Sequence, residues 1–145
     1  MDVCCLNRPF DDLSQDRVYL EAEAVLSILS HCRNGEWTLI ASGAINYELS
    51  NASNTDKMKQ VQTLYAIAGE WVKSSAQTEQ RSTFFMQNGL KALDSLHLAL
   101  AETNGVDVFL TTDDRLLKTL NRIDLKVKAT NPVLWLWEVN NEQWR

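Results

Sequence analysis

A length of 145 residues is that of one ordinary domain, and 45% hydrophobic content belongs to a folded chain rather than a disordered one. A formal net charge of −5 disfavours a nucleic-acid binder that works through a broad basic surface, but leaves room for an acidic site neutralised by metal ions. Apolar runs stay far short of a membrane span, and the start carries no charged-then-apolar secretion signal.

Cys4, Cys5 and Cys32 follow no metal-ligand or redox spacing, so a reducing cytoplasm is their simplest home. No repeat or linker-like tract divides the chain, and one domain over residues 1–145 is expected. Residues 15–33 form a helical stripe through Val18, Ala22, Val25, Leu26 and Leu29, with Ser14 as N-cap. After Asn34-Gly35, "WTLIAS" (37–42) reads as a buried strand, and Ser42 then caps a brief helix through "GAINYELS". Met58, Val61, Leu64, Tyr65 and Ala68 have helical spacing, which predicts a helix from Thr55 to about Trp71. "EWVKSS" (70–75) is ambiguous between helix end and short strand.

Two helices follow, 77–88 and 90–103, separated by the stop signal Asn88-Gly89. "VDVFLTT" (106–112) reads as a strand, "DDRLLKTLNR" (113–122) as a helix and "LKVKAT" (125–130) as another strand. "NPVLWLWEVN" (131–140) is helical or irregular. Strands alternating with helices predict an α/β sandwich around a mainly parallel sheet, whose sites lie beyond the carboxyl ends of the strands.

Four acids fall at or near that edge: Asp2, Glu48, Asp94 and Asp113. Each has a plain structural reading. Asp94 suits the first turn of a helix and Asp113 the N-cap of "DDRLLKTL"; Glu48 reads as a solvated helix residue and Asp2 as an exposed terminal acid. Taken together they suggest more, because packed carboxylates do not all stay ionised without a cation. Carboxylate and water oxygens suit Mg²⁺ or Mn²⁺, which can activate water and polarise a phosphodiester.

His97, three residues after Asp94, could assist proton transfer, although a hydrogen-bonded core histidine is the commoner case. Thr111 and Thr112 could orient Asp113, or simply favour a strand. Arg81, Lys91, Arg115 and Lys118 flank the acidic stretches and could hold phosphates, against a default of solvated charge. Trp37, Trp71, Trp135, Trp137 and Trp144 suit core or oligomer contacts better than base stacking.

"LDSLHLALAE", "VDVFLTTDDRLL" and "LKVKATNPV" together resemble the C-terminal half of PIN-domain proteins, and most of all the VapC-type toxins of bacterial toxin–antitoxin pairs. "SGAINYEL" resembles the family's second acidic motif and "DVCCLNRPFDD" its first, so the likeness runs along essentially the whole chain. The resemblance implies an α/β/α sandwich whose clustered acids bind Mg²⁺ or Mn²⁺ and cleave single-stranded RNA. Carried over by position, Asp2, Glu48, Asp94 and Asp113 are both metal ligands and catalytic residues, with Asp114 as auxiliary and Thr112 as polar support. It also implies a cognate antitoxin lying over the acids and a homodimer, for which residues 14–33 and 55–71 could supply the interface.

The chain departs from the family at its start. The family has a whole apolar strand before its first aspartate, central in the sheet, whereas only Met1 precedes Asp2, and Val3 stands where a small hydroxyl residue is usual. Either the first strand is truncated, as its apparent absence suggests, or a neighbouring subunit or a shifted "VCCL" fills its slot; loss of a central strand would leave an apolar gap flanked by unpaired backbone groups. The leading expectation is a metal-dependent ribonuclease. Its alternative is a binding or regulatory module that kept the fold and lost the chemistry. A phospho-receiver domain ranks below both, because Asp94 reads as helical.

Overall fold

A computed structural model describes residues 1–51 and 55–143. After α1 (Val3–Asn7) and a single 3-10 turn, the chain forms α2 (Asp16–Arg33), β1 (Ile40–Ser42), α3 (Gly43–Ser50), α4 (Thr55–Tyr65) and β2 (Glu70–Val72). It continues through α5 (Ala76–Gln87), α6 (Ala92–Thr103), β3 (Val108–Leu110), α7 (Asp114–Leu120), β4 (Lys128–Thr130) and α8 (Pro132–Gln143). The class is α/β and rich in helix, with every strand pair parallel. No helix among the described residues is long and apolar enough to cross a membrane.

Local chemistry sets several boundaries. Ser42 Oγ accepts the Ile45 N–H at 3.3 Å and starts α3 as the sequence predicts. Ser75 and Thr78 form a reciprocal capping box at α5. Gly89, at φ 95°, occupies the left-handed conformation that ends α5. Ser14 does not cap α2. Its N–H and Oγ both turn onto Asp12 Oδ1, at 3.1 and 2.7 Å, and the capping position passes to Gln15, which makes no side-chain bond.

The predicted helix through Trp71 is also corrected: α4 stops at Tyr65. The Gly69 N–H donates to the Leu39 carbonyl at 3.0 Å, and the next residues become β2, in register Ile40↔Glu70, Ala41↔Trp71 and Ser42↔Val72. A long-range ladder overrides a local helical spacing here. "EWVKSS" is thus a strand at its start.

The expected central sheet is divided. β1 pairs with β2 and β3 with β4, and among the described residues no hydrogen-bonded strand joins the two pairs. "VCCL" is helical and does not fill the gap. At the carboxyl end of β3, the Asp2 N–H donates to the Leu110 carbonyl at 3.0 Å.

Apolar side chains of β3 point to two faces, as strand alternation requires. Leu110 joins a core with Cys5, Leu6, Val25, Ile28 and Val61, while Phe109 joins another with Phe85, Leu98, Leu116 and Leu120. Helices therefore cover both faces of this strand. Tyr65 ties α4 to β1: its Oη accepts the buried Ser42 N–H at 2.9 Å. Tyr65→Phe would strand that donor and lower stability by about 1–3 kcal/mol, read as a shifted urea midpoint. An unchanged midpoint would mean that water or another group serves Ser42 equally well.

Candidate functional site

The four acids sit on four different elements at the carboxyl ends of β1 and β3. Asp2 precedes α1, Glu48 lies in α3, Asp94 in the first turn of α6, and Asp113 caps α7. All four act electrostatically on one thiol. Cys4 is pushed up to about 12, first by lost hydration and then by the negative fields of Asp2, Asp113, Glu48 and Asp94. Cys4 is thus a side chain on which all four acids act.

Each acid is held differently. Asp2 is buried, its Oδ1 accepts the Cys5 N–H at 3.0 Å, and it bonds the Thr111 side chain. Burial raises its pKa, and those two bonds partly offset the rise. The sequence reading of an exposed terminal acid is therefore wrong. Asp113 Oδ1 accepts the N–H groups of Arg115 and Leu116 at 3.0 and 3.2 Å, and Thr111 Oγ1 accepts the Asp113 N–H at 3.1 Å. Its capping reading is correct, and both cap bonds fall on one oxygen.

Glu48 is half-buried, with Oε2 3.1 Å from His97 Nε2. His97 is a hydrogen-bonded core histidine, as its commoner reading holds, and its partner is one of the four acids. Asp94 is the least supported: among the described residues no hydrogen bond or ion pair engages its carboxylate. Its pKa is raised first by burial, then by Asp2 and Asp113, against a lowering by His97.

Buried acids elsewhere in the chain are matched. Glu21 meets Arg8 Nε at 3.0 Å, Arg17 at 3.5 Å and Asn131 Nδ2 at 2.5 Å. Glu102 takes Arg81 at 2.7 and 3.0 Å and the Lys126 N–H at 2.9 Å. Among the described residues, no arginine or lysine forms an ion pair with Asp2, Glu48, Asp94 or Asp113.

That donor set suits a hard divalent cation. As the side chains stand, however, no three His, Cys, Asp or Glu residues among the described ones form a group that could hold a metal ion. Mg²⁺ commonly keeps several waters and takes only one or two carboxylates, so the residues fit such an ion more readily than a closed protein cage.

Other expected residues are spread out. Asp114 is exposed and held by Arg17 at 2.5 and 2.7 Å, and Arg81 is engaged with Glu102, so neither serves the cluster. Lys91, Arg115 and Lys118 remain exposed, and Thr112 is buried. Trp37 packs edge-on to Trp135 at 4.7 Å, while Trp71 and Trp137 are exposed; Trp144 lies outside the described residues. The sequence reading overlooked Cys4 as the point where the four fields meet, and no spacing could have revealed it. Compared with models of known families, with curated proteins and with solved structures, the chain has no match.

Asp94 gives a prediction with a definite sign. Its pKa in the folded chain is raised above its ordinary value, so its ionised form costs stability above that pKa, and the cost disappears as pH falls below the unfolded value. Asp94→Asn should therefore raise Tm at pH 7, by roughly 2–4 °C for each kcal/mol relieved. The gain should shrink towards pH 3. A thermal scan showing a lower Tm for the variant at pH 7 would contradict the repulsion.

Proposed function

We propose that the protein is a metal-dependent endoribonuclease that cleaves single-stranded RNA, the toxin of a VapC-type toxin–antitoxin pair with a PIN-like α/β/α sandwich. On this reading the two strand pairs are halves of one sheet, and Asp2, Glu48, Asp94 and Asp113 hold Mg²⁺ or Mn²⁺. The observation that carries it is the contrast between the matched buried acids, Glu21 and Glu102, and the unmatched cluster around Cys4.

A divalent cation supplies Lewis-acid polarisation of a phosphodiester and compensates the acids. The chain's own residues prepare the place. Cys5 N–H and the Thr111 hydroxyl orient Asp2. The α7 cap uses only Oδ1 of Asp113. His97 Nε2 steadies Glu48 Oε2, which suits Glu48 for orienting a water or serving as a ligand. Asp94, free of local partners, is the acid with most to gain from a cation. Exposed Lys91, Arg115 and Lys118 suit contacts to RNA phosphates.

A cognate antitoxin would cover the acids, with charge complementarity favouring an arginine there. Exposed Tyr19, Leu20 and Leu26 on α2 support a homodimer through that helix. The cytoplasm is the compartment proposed, given the free cysteines.

Asp94→Asn should reduce Mg²⁺- or Mn²⁺-dependent cleavage of single-stranded RNA by at least about a hundredfold, since even outer-shell partners can cost that much. Its circular dichroism should match the parent's. Equal cleavage by the variant would remove the assignment. A second readout needs no substrate. A cation among the acids lowers the Cys4 pKa from about 12, so Mn²⁺ should accelerate iodoacetamide alkylation of Cys4 at pH 8.

A non-catalytic binding or regulatory module is the second reading. It is favoured by the use of Asp2 and Asp113 as helix caps and by the lack of a ready three-ligand group among the described residues. Calorimetry showing no Mn²⁺ uptake by the intact chain would select it.

A further inference from the structure

We propose that the groove between α3, α6 and the carboxyl end of β2 seats a nucleobase of single-stranded RNA, stacked on Trp71 and Tyr47. The groove is a cavity of ≈ 470 Å³, within the range of ordinary ligand sites. Ala44, Leu93, Leu96 and Leu100 give it an apolar wall. Tyr47 and Trp71 also line it, yet remain 61% and 56% exposed.

Its place follows from the register of the strands. Ser42 pairs with Val72, so the residues that follow, Gly43 and Lys73, come side by side at the carboxyl edge of β1 and β2. Helices that carry two of the acids leave from or pass this edge: Glu48 is on α3 and Asp94 on α6. On α6 the groove takes Leu93, Leu96 and Leu100. Asp94 and His97 each come one residue after a groove leucine, about 100° further round the helix. Tyr47 and Glu48 repeat that relation on α3. Groove and acids are thus neighbouring rows on the same two helices, joined where His97 Nε2 meets Glu48 Oε2 at 3.1 Å. A strand that leaves a base in the groove passes its backbone along the acids.

Chemistry selects the occupant. A base has apolar faces and polar edges. The groove offers both counterparts, because Tyr47, Trp71, Lys73 and Ser74 bring two hydroxyls, an indole N–H and an ammonium beside the apolar wall. Among the described residues no hydrogen bond or ion pair engages any of these four groups. They suit the ring nitrogens and carbonyls of a base, and exposed Lys73 also complements its phosphate. An aliphatic side chain from a partner protein would use the wall and leave the polar groups idle. RNA as the ligand rests on the ribonuclease reading, but binding and cleavage are separate measurements and either can fail alone.

The test titrates the full chain in EDTA at low salt with a fluorescein-labelled RNA hexanucleotide. Binding is read by anisotropy and by the shift of the Trp71 indole N–H resonance. Trp71→Ala and Tyr47→Ala should each weaken binding at least about fivefold, the lower end of what stacking on one base contributes. Trp71→Phe should keep most of the affinity, which separates loss of a stacking ring from loss of the fold. A hexamer without bases should bind the parent more weakly and be indifferent to Trp71→Ala. No binding by the parent, alanine variants that bind RNA as the parent does, or full affinity for the baseless strand would overturn the base site. With Mg²⁺ or Mn²⁺ added, RNA that is bound through Trp71 but left uncut would remove the ribonuclease reading and keep the base site. Cleavage with an unchanged KM in Trp71→Ala would do the reverse. Acrylamide quenching of Trp71 that falls with protein concentration, without RNA, would give the groove to a second copy of this chain instead.

Discussion

One backbone hydrogen bond connects the fold to the site. The Asp2 N–H donates to the Leu110 carbonyl at 3.0 Å, anchoring the first residues of the chain against the end of β3. It delivers the Asp2 carboxylate beside Thr111, which in turn accepts from Asp113 N–H. It also starts α1, because Asp2 Oδ1 receives the Cys5 N–H immediately afterwards. The buried Cys5 and Leu6 of α1 hold the same end of the chain against the core. The other acids are delivered by longer elements with cores of their own: Glu48 by α3 and Asp94 by α6.

Charge makes this assembly costly in a way that the buried acids Glu21 and Glu102 avoid. Glu21 is almost fully buried, yet Arg8, Arg17 and Asn131 surround it. A buried, compensated acid of this kind locks α2 to its neighbours and does no chemistry. Burial drives both Asp2 and Asp94 towards the neutral form, against the Thr111 hydroxyl, the Cys5 amide, the Met1 amino group and His97 at Asp2, and against His97 at Asp94. Selection for stability alone favours an asparagine or an arginine partner at such places. Charge left unmatched at the carboxyl ends of parallel strands is the physical basis of the functional reading, more than the identity of any one acid.

Where the controlling interaction is local, the sequence displays it. Ser42 sits one residue before a helical stripe and caps it; Asn88-Gly89 ends α5 where the stop signal lies. The four acids are likewise visible as residues near strand ends. Where the interaction is distant, inspection of the sequence fails. The spacing from Met58 to Ala68 is truly helical, but Leu39 competes for Gly69 from thirty positions away and ends the pattern. Ser14 was lost to a neighbour, Asp12, whose carboxylate outbids a helix start. The burial of Asp2, the Glu48–His97 contact and the centrality of Cys4 all depend on elements far apart in sequence. Residue types announce the chemistry; only the fold says which of them meet.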